Sequence, residues 1–219
     1  LMKIKEFMYS KRFYRSFFGK VYWHITNKIA AAYDLIQDLK ICKKSLVKYV
    51  PSLYRESRGA TGSQSTRYWF LDDIFDGAEF SPEDSFIDVG CGKGRVLAYM
   101  QRIGFKGKIS GVELNDEVAQ YAASWAERYD NINVISGDAF DLNYNEYNVF
   151  FLGSPFLPEM FTRFIGKLEA ELDHPIKFYY WVDQQSGDYL NDREGWQLER
   201  RKKVFMHGPL CLSYCPQRY

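Results

Sequence analysis

One stretch constrains this chain more than any other, Phe86-Ile-Asp-Val-Gly-Cys-Gly-Lys-Gly-Arg-Val-Leu97. Phe86, Ile87 and Val89 predict a short buried strand over Ser85–Val89, and Gly90, Gly92 and Gly94 predict a turn that runs from it into a helix. Glycines at alternate positions allow positive φ and let a ligand lie against main chain with no Cβ in the way. Val96, Leu97, Met100 and Ile103 then recur at the spacing of one helix face. Strand, glycine turn and helix in that order form the cofactor-binding corner of a doubly wound α/β fold.

The spacing narrows the chemistry. A nicotinamide fingerprint reads G-x-G-x-x-G, one residue wider than Gly90, Gly92 and Gly94, and a P-loop needs Gly-Lys-Ser/Thr where this chain has Gly92-Lys93-Gly94. The phosphate-cradling readings are therefore disfavoured. The segment resembles the first motif of class I S-adenosylmethionine (SAM)-dependent methyltransferases, hydrophobic-hydrophobic-Asp-hydrophobic-Gly-x-Gly-x-Gly, with Asp88, Gly90, Gly92 and Gly94 matching position for position. That cofactor carries no phosphate. The resemblance implies close backbone approach along Val89, Gly90, Cys91, Gly92 and Gly94, and an acidic group, Asp88, for the cofactor's amino end.

Lys108–Glu113 predicts a second buried strand ending in a carboxylate 19 residues past Gly94. A doubly wound fold places the ribose-binding acid at about that distance, so Glu113, with Leu114 beside it, is a cofactor candidate; a nicotinamide enzyme would show the same acid. Asn115 is placed to cap the next helix, with Val118, Ala122, Trp125 and Tyr129 as its buried stripe. A third strand over 133–136 runs into Gly137-Asp138-Ala139. The resembling family often carries this triplet here, which implies Asp138 as acceptor for the adenine amino group and Ala139 as the backbone contact to the ring. The span 139–146 is short for a crossover helix and predicts one turn or less.

A fourth strand, 147–152, ends in Gly153-Ser154-Pro155-Phe156. By resemblance this is the fourth motif, beside the transferred methyl, so Ser154 is a candidate for both cofactor and substrate and Pro155 and Phe156 for substrate. Enzymes acting on amide or nucleobase amines usually have Asn/Asp-Pro-Pro-Tyr/Phe there. Ser154 lacks the amide's paired donor and acceptor, which leaves O-methylation, or amine methylation in another pose, open. A helix with Phe161, Phe164, Ile165 and Leu168 inside, a fifth strand over 176–182, and a closing strand pair over 196–205 and 211–214 complete the pattern. The resemblance covers about Thr66 to Tyr214. It implies an α/β, doubly wound, mostly parallel seven-stranded sheet with a C-terminal antiparallel pair.

Charge divides the chain. Residues 1–60 hold 13 Lys/Arg against 4 Asp/Glu, and residues 61–219 hold 16 against 24. Residues 1–60 read as a basic, aromatic-rich helical extension and 61–219 as the methyltransferase domain, joined through the small-residue segment Arg58–Thr66. In the extension, Lys11, Arg12, Phe13, Tyr14, Arg15, Phe17, Phe18, Lys20, Tyr22 and Trp23 interleave charge with aromatic surface. Such a face suits a solvated cap, anionic lipid headgroups or a phosphate backbone. Ser63 or Ser65 is placed to cap a helix in which Tyr68, Leu71 and Ile74 recur, and Gln64, Thr66, Arg67 and Tyr68 are candidates for a cover over the pocket. The four cysteines fit neither a disulfide framework nor zinc spacing, no metal is expected, and a reducing cytosol is the default location. No run approaches the ~20 apolar residues of a membrane span, no signal peptide is visible, and Leu1 before Met2 reads as a cloning remnant.

The leading expectation is SAM-dependent methyl transfer to a small-molecule or saccharide- or lipid-linked acceptor, leaving S-adenosylhomocysteine. Alternatives are a protein-lysine methyltransferase, which predicts an acidic channel, and a SAM-binding module without catalysis. The candidates for a base are Asp183, Tyr68 and His207.

Overall fold

The structure, a computed structural model, describes residues 17–181, 186, 188–191, 193–201 and 210–216. Helix α1, Phe17–Cys42, precedes one helical turn at Arg55–Arg58 and the short α2, Tyr68–Ile74. Then come β1 Ser85–Val89, α3 Arg95–Arg102, β2 Lys108–Glu113, α4 Asp116–Ala126, β3 Ile132–Ser136, β4 Val149–Leu152, α5 Pro158–Glu171 and β5 Ile176–Tyr180. Two 3₁₀ turns, Ala139–Asp141 and Tyr144–Glu146, replace a crossover helix between β3 and β4. β6 Trp196–Arg201 and β7 Leu210–Tyr214 follow.

The sheet order is β3-β2-β1-β4-β5-β7-β6. The first five strands are parallel, β7 lies antiparallel to β5, and β6 lies antiparallel to β7 with an irregularity between Leu198 and Arg200. β1 is central, Phe86 facing Ile109 on one side and Val149 on the other. Connectivity reverses between β1 and β4, and in open α/β sheets ligands bind at that switch point, beyond the carboxyl ends of the strands.

Side chains of successive residues leave a strand on opposite faces, and here each set finds its own core. Phe86, Val149, Phe151 and Tyr179 pack with Leu46, Tyr68, Leu71, Leu97 and Met100. Ile87, Val89, Phe150, Leu152, Phe178 and Tyr180 pack with Tyr144, Phe161, Phe164, Ile165 and Leu168. Covering both faces explains why these strands read as unbroken apolar runs. α5 starts on Pro158, whose fixed φ suits a first helical position, and Phe161 stacks on Tyr180 with ring centroids 4.7 Å apart.

α3 departs from a one-sided amphipathic helix. All of Arg95–Met100 is buried, whereas Ile103, predicted on the inner face, is 42% exposed. The cause is α1, which lies against the outer side of α3 and brings two carboxylates inward. Arg95 donates from Nε to Asp38 Oδ1 at 3.0 Å and from Nη2 to Oδ2 at 2.7 Å, and Leu46 N–H donates to the same Oδ2 at 2.9 Å. Asp34 lies 3.7 Å from Arg95 and 3.6 Å from Arg67. It also accepts from Tyr68 N–H at 3.1 Å, so Asp34, and neither Ser63 nor Ser65, satisfies the start of α2.

Candidate functional site: a cleft over the glycine turn

The turn after β1 is held from several directions. Gly90 and Cys91 donate their N–H groups to the Val112 carbonyl, each at 2.9 Å, and Gly92 N–H donates to Glu113 Oε2 at 2.9 Å. The other oxygen of Glu113 accepts from Asn115 N–H at 2.9 Å, and Asn115 in turn caps α4 through its Oδ1. Gly90 has φ +76°, and a Cβ there would run into Pro155; Gly92 has φ +55°, and a Cβ would meet the Ser63 hydroxyl. The cradle is therefore shaped for bare main chain.

Over this turn lies a cleft with an empty volume of about 900 Å³, its open mouth included. Asp88, Gly90, Cys91, Gly92, Glu113, Leu114, Asp138, Ala139, Pro155 and Phe156 all line it. Val89 and Gly94 do not: Val89 packs in the core, paired beside Leu152 of β4, and Gly94, at φ +83°, fits against Trp125. Both shape the cradle from behind.

Burial sets the electrostatics. It pushes the Asp88 carboxyl well above the usual carboxylate range, and the nearby Glu113 charge pushes it further. Glu113 is also raised by burial, against three backbone N–H groups, of Asn115, Gly92 and Leu114, that favour its ionised form. The Cys91 thiol is raised well above its ordinary value by burial and the same two acids, which makes it a poor nucleophile. Cys42, Cys91 and Cys215 are free, and no cluster suited to a metal ion occurs among the described residues.

Two features, Arg58 and Lys93, were missed from sequence, and a third was expected only in part, since Gln64 and Thr66, named as cover candidates, do line the cleft. Arg58 reaches across the mouth and pairs through Nη1 with Asp138 Oδ2, while Asp138 Oδ1 accepts from Phe140 N–H at 2.9 Å. The joining segment, residues 59–66, is tied down as a strap over the turn. Thr61 N–H donates to the Pro155 carbonyl at 2.9 Å, Leu157 N–H to the Gly59 carbonyl at 2.8 Å, and the Thr61 hydroxyl to the Ser154 carbonyl at 2.8 Å. Lys93 is buried beside the turn, its ammonium on the Lys48 carbonyl, and the Lys93 carbonyl accepts from Trp125 Nε1 at 2.9 Å.

On the far side of the strap lies a second, more open cleft lined by Tyr49, Arg55, Arg67, Phe70, Ser154 and Trp181. Thr61, Gly62, Gln64, Ser65, Thr66, Arg95 and Gly153 border both. Ser154 thus faces this neighbour and not the cofactor-side cleft expected of it. Its φ of +56° is unusual for a residue with a Cβ. Tyr68 is a correction: it lines neither cleft, is fully buried between Asp34, Tyr99 and Leu71, and burial drives its hydroxyl pKa far up. It is a core residue, not a base or substrate contact. Asp183 and His207 lie outside the described residues.

A methyltransferase-domain family model matches residues 80–156, which contain the glycine turn, Glu113, Asp138 and Ser154. A curated relative, a probable ribosomal RNA small subunit methyltransferase A of Methanosarcina acetivorans, is 30% identical over 79 residues, 36% of this chain and 29% of the relative, so the chain spans under a third of its length. An RNA methyltransferase from Salinibacter ruber, in complex with S-adenosylhomocysteine, superposes with a TM-score of 0.53 at 19% identity, over 71% of this chain and 95% of that one. A SAM-dependent methyltransferase from Aquifex aeolicus gives 0.51 at 15%, over 65% and 88%. At these identities the structures speak for the fold. Residues 80–156 are thus similar to a methyltransferase domain, and the chain shares its fold with these methyltransferase structures.

Proposed function

We propose that this chain transfers the methyl group of SAM to a small-molecule or saccharide- or lipid-linked acceptor held in the second cleft, with residues 61–219 as the catalytic domain and residues 1–60 as an extension that docks it near a membrane. The observation that carries this reading is the seam between the clefts: Gly153 borders both and Ser154 opens into the second. When bound, the cofactor supplies an activated methyl electrophile.

The residues fit such a group. The bare main chain at Gly90 and Gly92 admits close approach, and buried Asp88 suits an ammonium because its carboxylate is costly to leave unpaired there. Glu113 keeps lone pairs for ribose hydroxyls beside the two N–H groups it already holds. Asp138, with Ala139 and Leu114 beside it, takes the adenine edge. The strap and the Pro155-Phe156 wall exclude water and align the acceptor, and positioning of that kind can lower a barrier by ~7–11 kcal/mol.

The lining of the second cleft argues for its class of acceptor. Arg55, Arg67 and Arg95 stand against one carboxylate, Asp34, which is itself held by Arg67 and Arg95. That is the opposite of the acidic channel a protein lysine needs. Tyr49 offers an exposed ring to a sugar, and Phe70 and Trp181, packed together with centroids 4.8 Å apart, back the cleft with aromatic surface. A nucleic-acid acceptor is the second reading, favoured by the ribosomal RNA methyltransferase similarity and by the same arginine and aromatic lining. Incubation with methyl-labelled SAM and separate saccharide, lipid-linked saccharide and RNA fractions tests both. Label in a saccharide fraction supports the first reading and label in RNA the second. Label in none, with cofactor binding intact, leaves a SAM-binding module.

A further inference from the structure

The helix that locks onto α3 has a second side that no described residue covers. At about 100° per residue, Val21, Ile25, Ile29, Ala32, Ile36 and Leu39 fall within an arc of about 80° on the outside of α1. The side chains are open to solvent: Ile25 is 53% exposed, Ile29 64%, Ile36 50% and Leu39 46%. Solvent-facing sides of helices in globular proteins are polar, so four large aliphatic groups in one line need a partner.

Charge says what kind. The only carboxylates of α1 are Asp34 and Asp38, and both are buried on the opposite side against Arg95. The outward side therefore carries no acid at all. Lys28 and Lys40 flank the apolar line, both exposed. The 16 residues upstream of α1 add Lys3, Lys5, Lys11, Arg12 and Arg15 against Glu6, together with Phe7, Tyr9, Phe13 and Tyr14. No helix among the described residues is long and apolar enough to cross a membrane. An apolar stripe bordered by lysines, with a cationic aromatic segment attached, is the pattern of a helix lying in a lipid interface, and basic residues beside it favour anionic headgroups.

We infer that the outer face of α1, centred on Ile25, Ile29 and Ile36, docks flat on an anionic lipid surface. The anchor is then a rigid part of the domain, because the back of the same helix is bolted to the glycine-turn helix through Asp38 and Arg95. This deepens the membrane-side docking proposed above and rests on it, but not on the nature of the acceptor.

The test is co-sedimentation of the full chain with vesicles of phosphatidylcholine alone and with added phosphatidylglycerol, comparing the natural sequence with the double variant Ile29→Glu, Ile36→Glu. Both positions are exposed, and an unchanged thermal shift with S-adenosylhomocysteine reports an intact domain, so a failure of membrane docking is read apart from a failure of the cofactor reading. The expected result is sedimentation with anionic vesicles only, weakened by salt and reduced at least tenfold in the double variant. Should that variant lose the cofactor shift, Ile29→Ser, with a several-fold reduction, decides instead. Indifference to vesicles overturns the inference. Equal sedimentation of variant and natural chain overturns it too, since the upstream segment would then act alone. So does a dimer, or binding to an RNA oligomer, that the variant abolishes while vesicles are ignored.

Discussion

Arg95 and Asp38 join two parts of the chain 57 residues apart through a two-pronged contact, Nε to Oδ1 at 3.0 Å and Nη2 to Oδ2 at 2.7 Å, in a setting where both side chains are buried. Arg95 follows Gly94 directly, so the contact fixes the exit of the glycine turn as well as the seat of α1. Removing one partner of a buried pair leaves an uncompensated charge and typically costs about 3–5 kcal/mol. Asp38→Ala should lose about that much in denaturant unfolding and weaken S-adenosylhomocysteine binding at a temperature where the variant remains folded. A neutral result in both would mean that Arg95 finds water or Asp34 at no cost.

Cofactor binding should raise stability measurably. A ligand at 100 times its dissociation constant adds about 2.7 kcal/mol, which for a chain of this size shifts the midpoint by roughly 5–10 °C. S-adenosylhomocysteine should give that shift, NADH should not, and Asp88→Ala or Glu113→Ala should abolish it. A shift with NADH instead would return the turn to dinucleotide chemistry.

Asp88 and Glu113 predict opposite pH trends for the free and the bound protein. Both pKa values are raised, chiefly by burial. A carboxyl raised on folding contributes stability that is full below its unfolded pKa and lost as pH rises through the folded one. The free protein should therefore gain stability from this pair as pH falls from neutrality toward the ordinary carboxylate range. Cofactor affinity should fall over the same interval, because the ligand's ammonium and hydroxyl groups favour the ionised acids. Calorimetry in buffers of different ionisation enthalpy should show proton release on binding, and Glu113→Gln should reduce it.

Arg58 pairs with Asp138, the acid proposed to take the adenine edge. The pair lies at the cleft mouth, where exposed ion pairs are worth about 0–1 kcal/mol. Arg58→Gln should therefore tighten S-adenosylhomocysteine binding by up to about fivefold, and added salt should do the same for the natural chain. Weaker binding in the variant would make Arg58 a ligand instead of a competitor.

Gly90→Ala combines a positive φ with a Cβ directed at Pro155, a ring that cannot swing aside as a flexible side chain would. Loss of the cofactor shift, together with a destabilisation above the ~1–2 kcal/mol of a left-handed residue alone, is expected in thermal scans.

The local signals proved readable and the distant ones did not. β1 and β2 fall where the short apolar runs and the glycine turn placed them, because a buried strand running into glycines is a local pattern. β4 starts two residues later than expected, since Tyr147 N–H closes a 3₁₀ turn onto the Tyr144 carbonyl at 3.1 Å before the strand begins. Tyr68 was misread as a pocket residue although its spacing with Leu71 and Ile74 already marked it as core. Arg58 on Asp138, and Asp34 and Asp38 on Arg95, join residues 57 to 80 positions apart. No periodicity announces such pairs; the one available hint was two acids on an otherwise basic helix.

The strap at residues 59–66 is a shared wall, tied to the Ser154 and Pro155 carbonyls by Thr61 and resting with Ser63 on Gly92. Whatever settles on the glycine turn lies against this segment, and the same segment borders the second cleft, so an occupied first cleft would brace the wall of the second. Turnover would then follow a compulsory sequence, cofactor before acceptor and methylated product before S-adenosylhomocysteine. The spent cofactor should inhibit competitively against SAM and noncompetitively against the acceptor, so that the ratio of spent to fresh cofactor, more than acceptor supply, would govern flux through the enzyme.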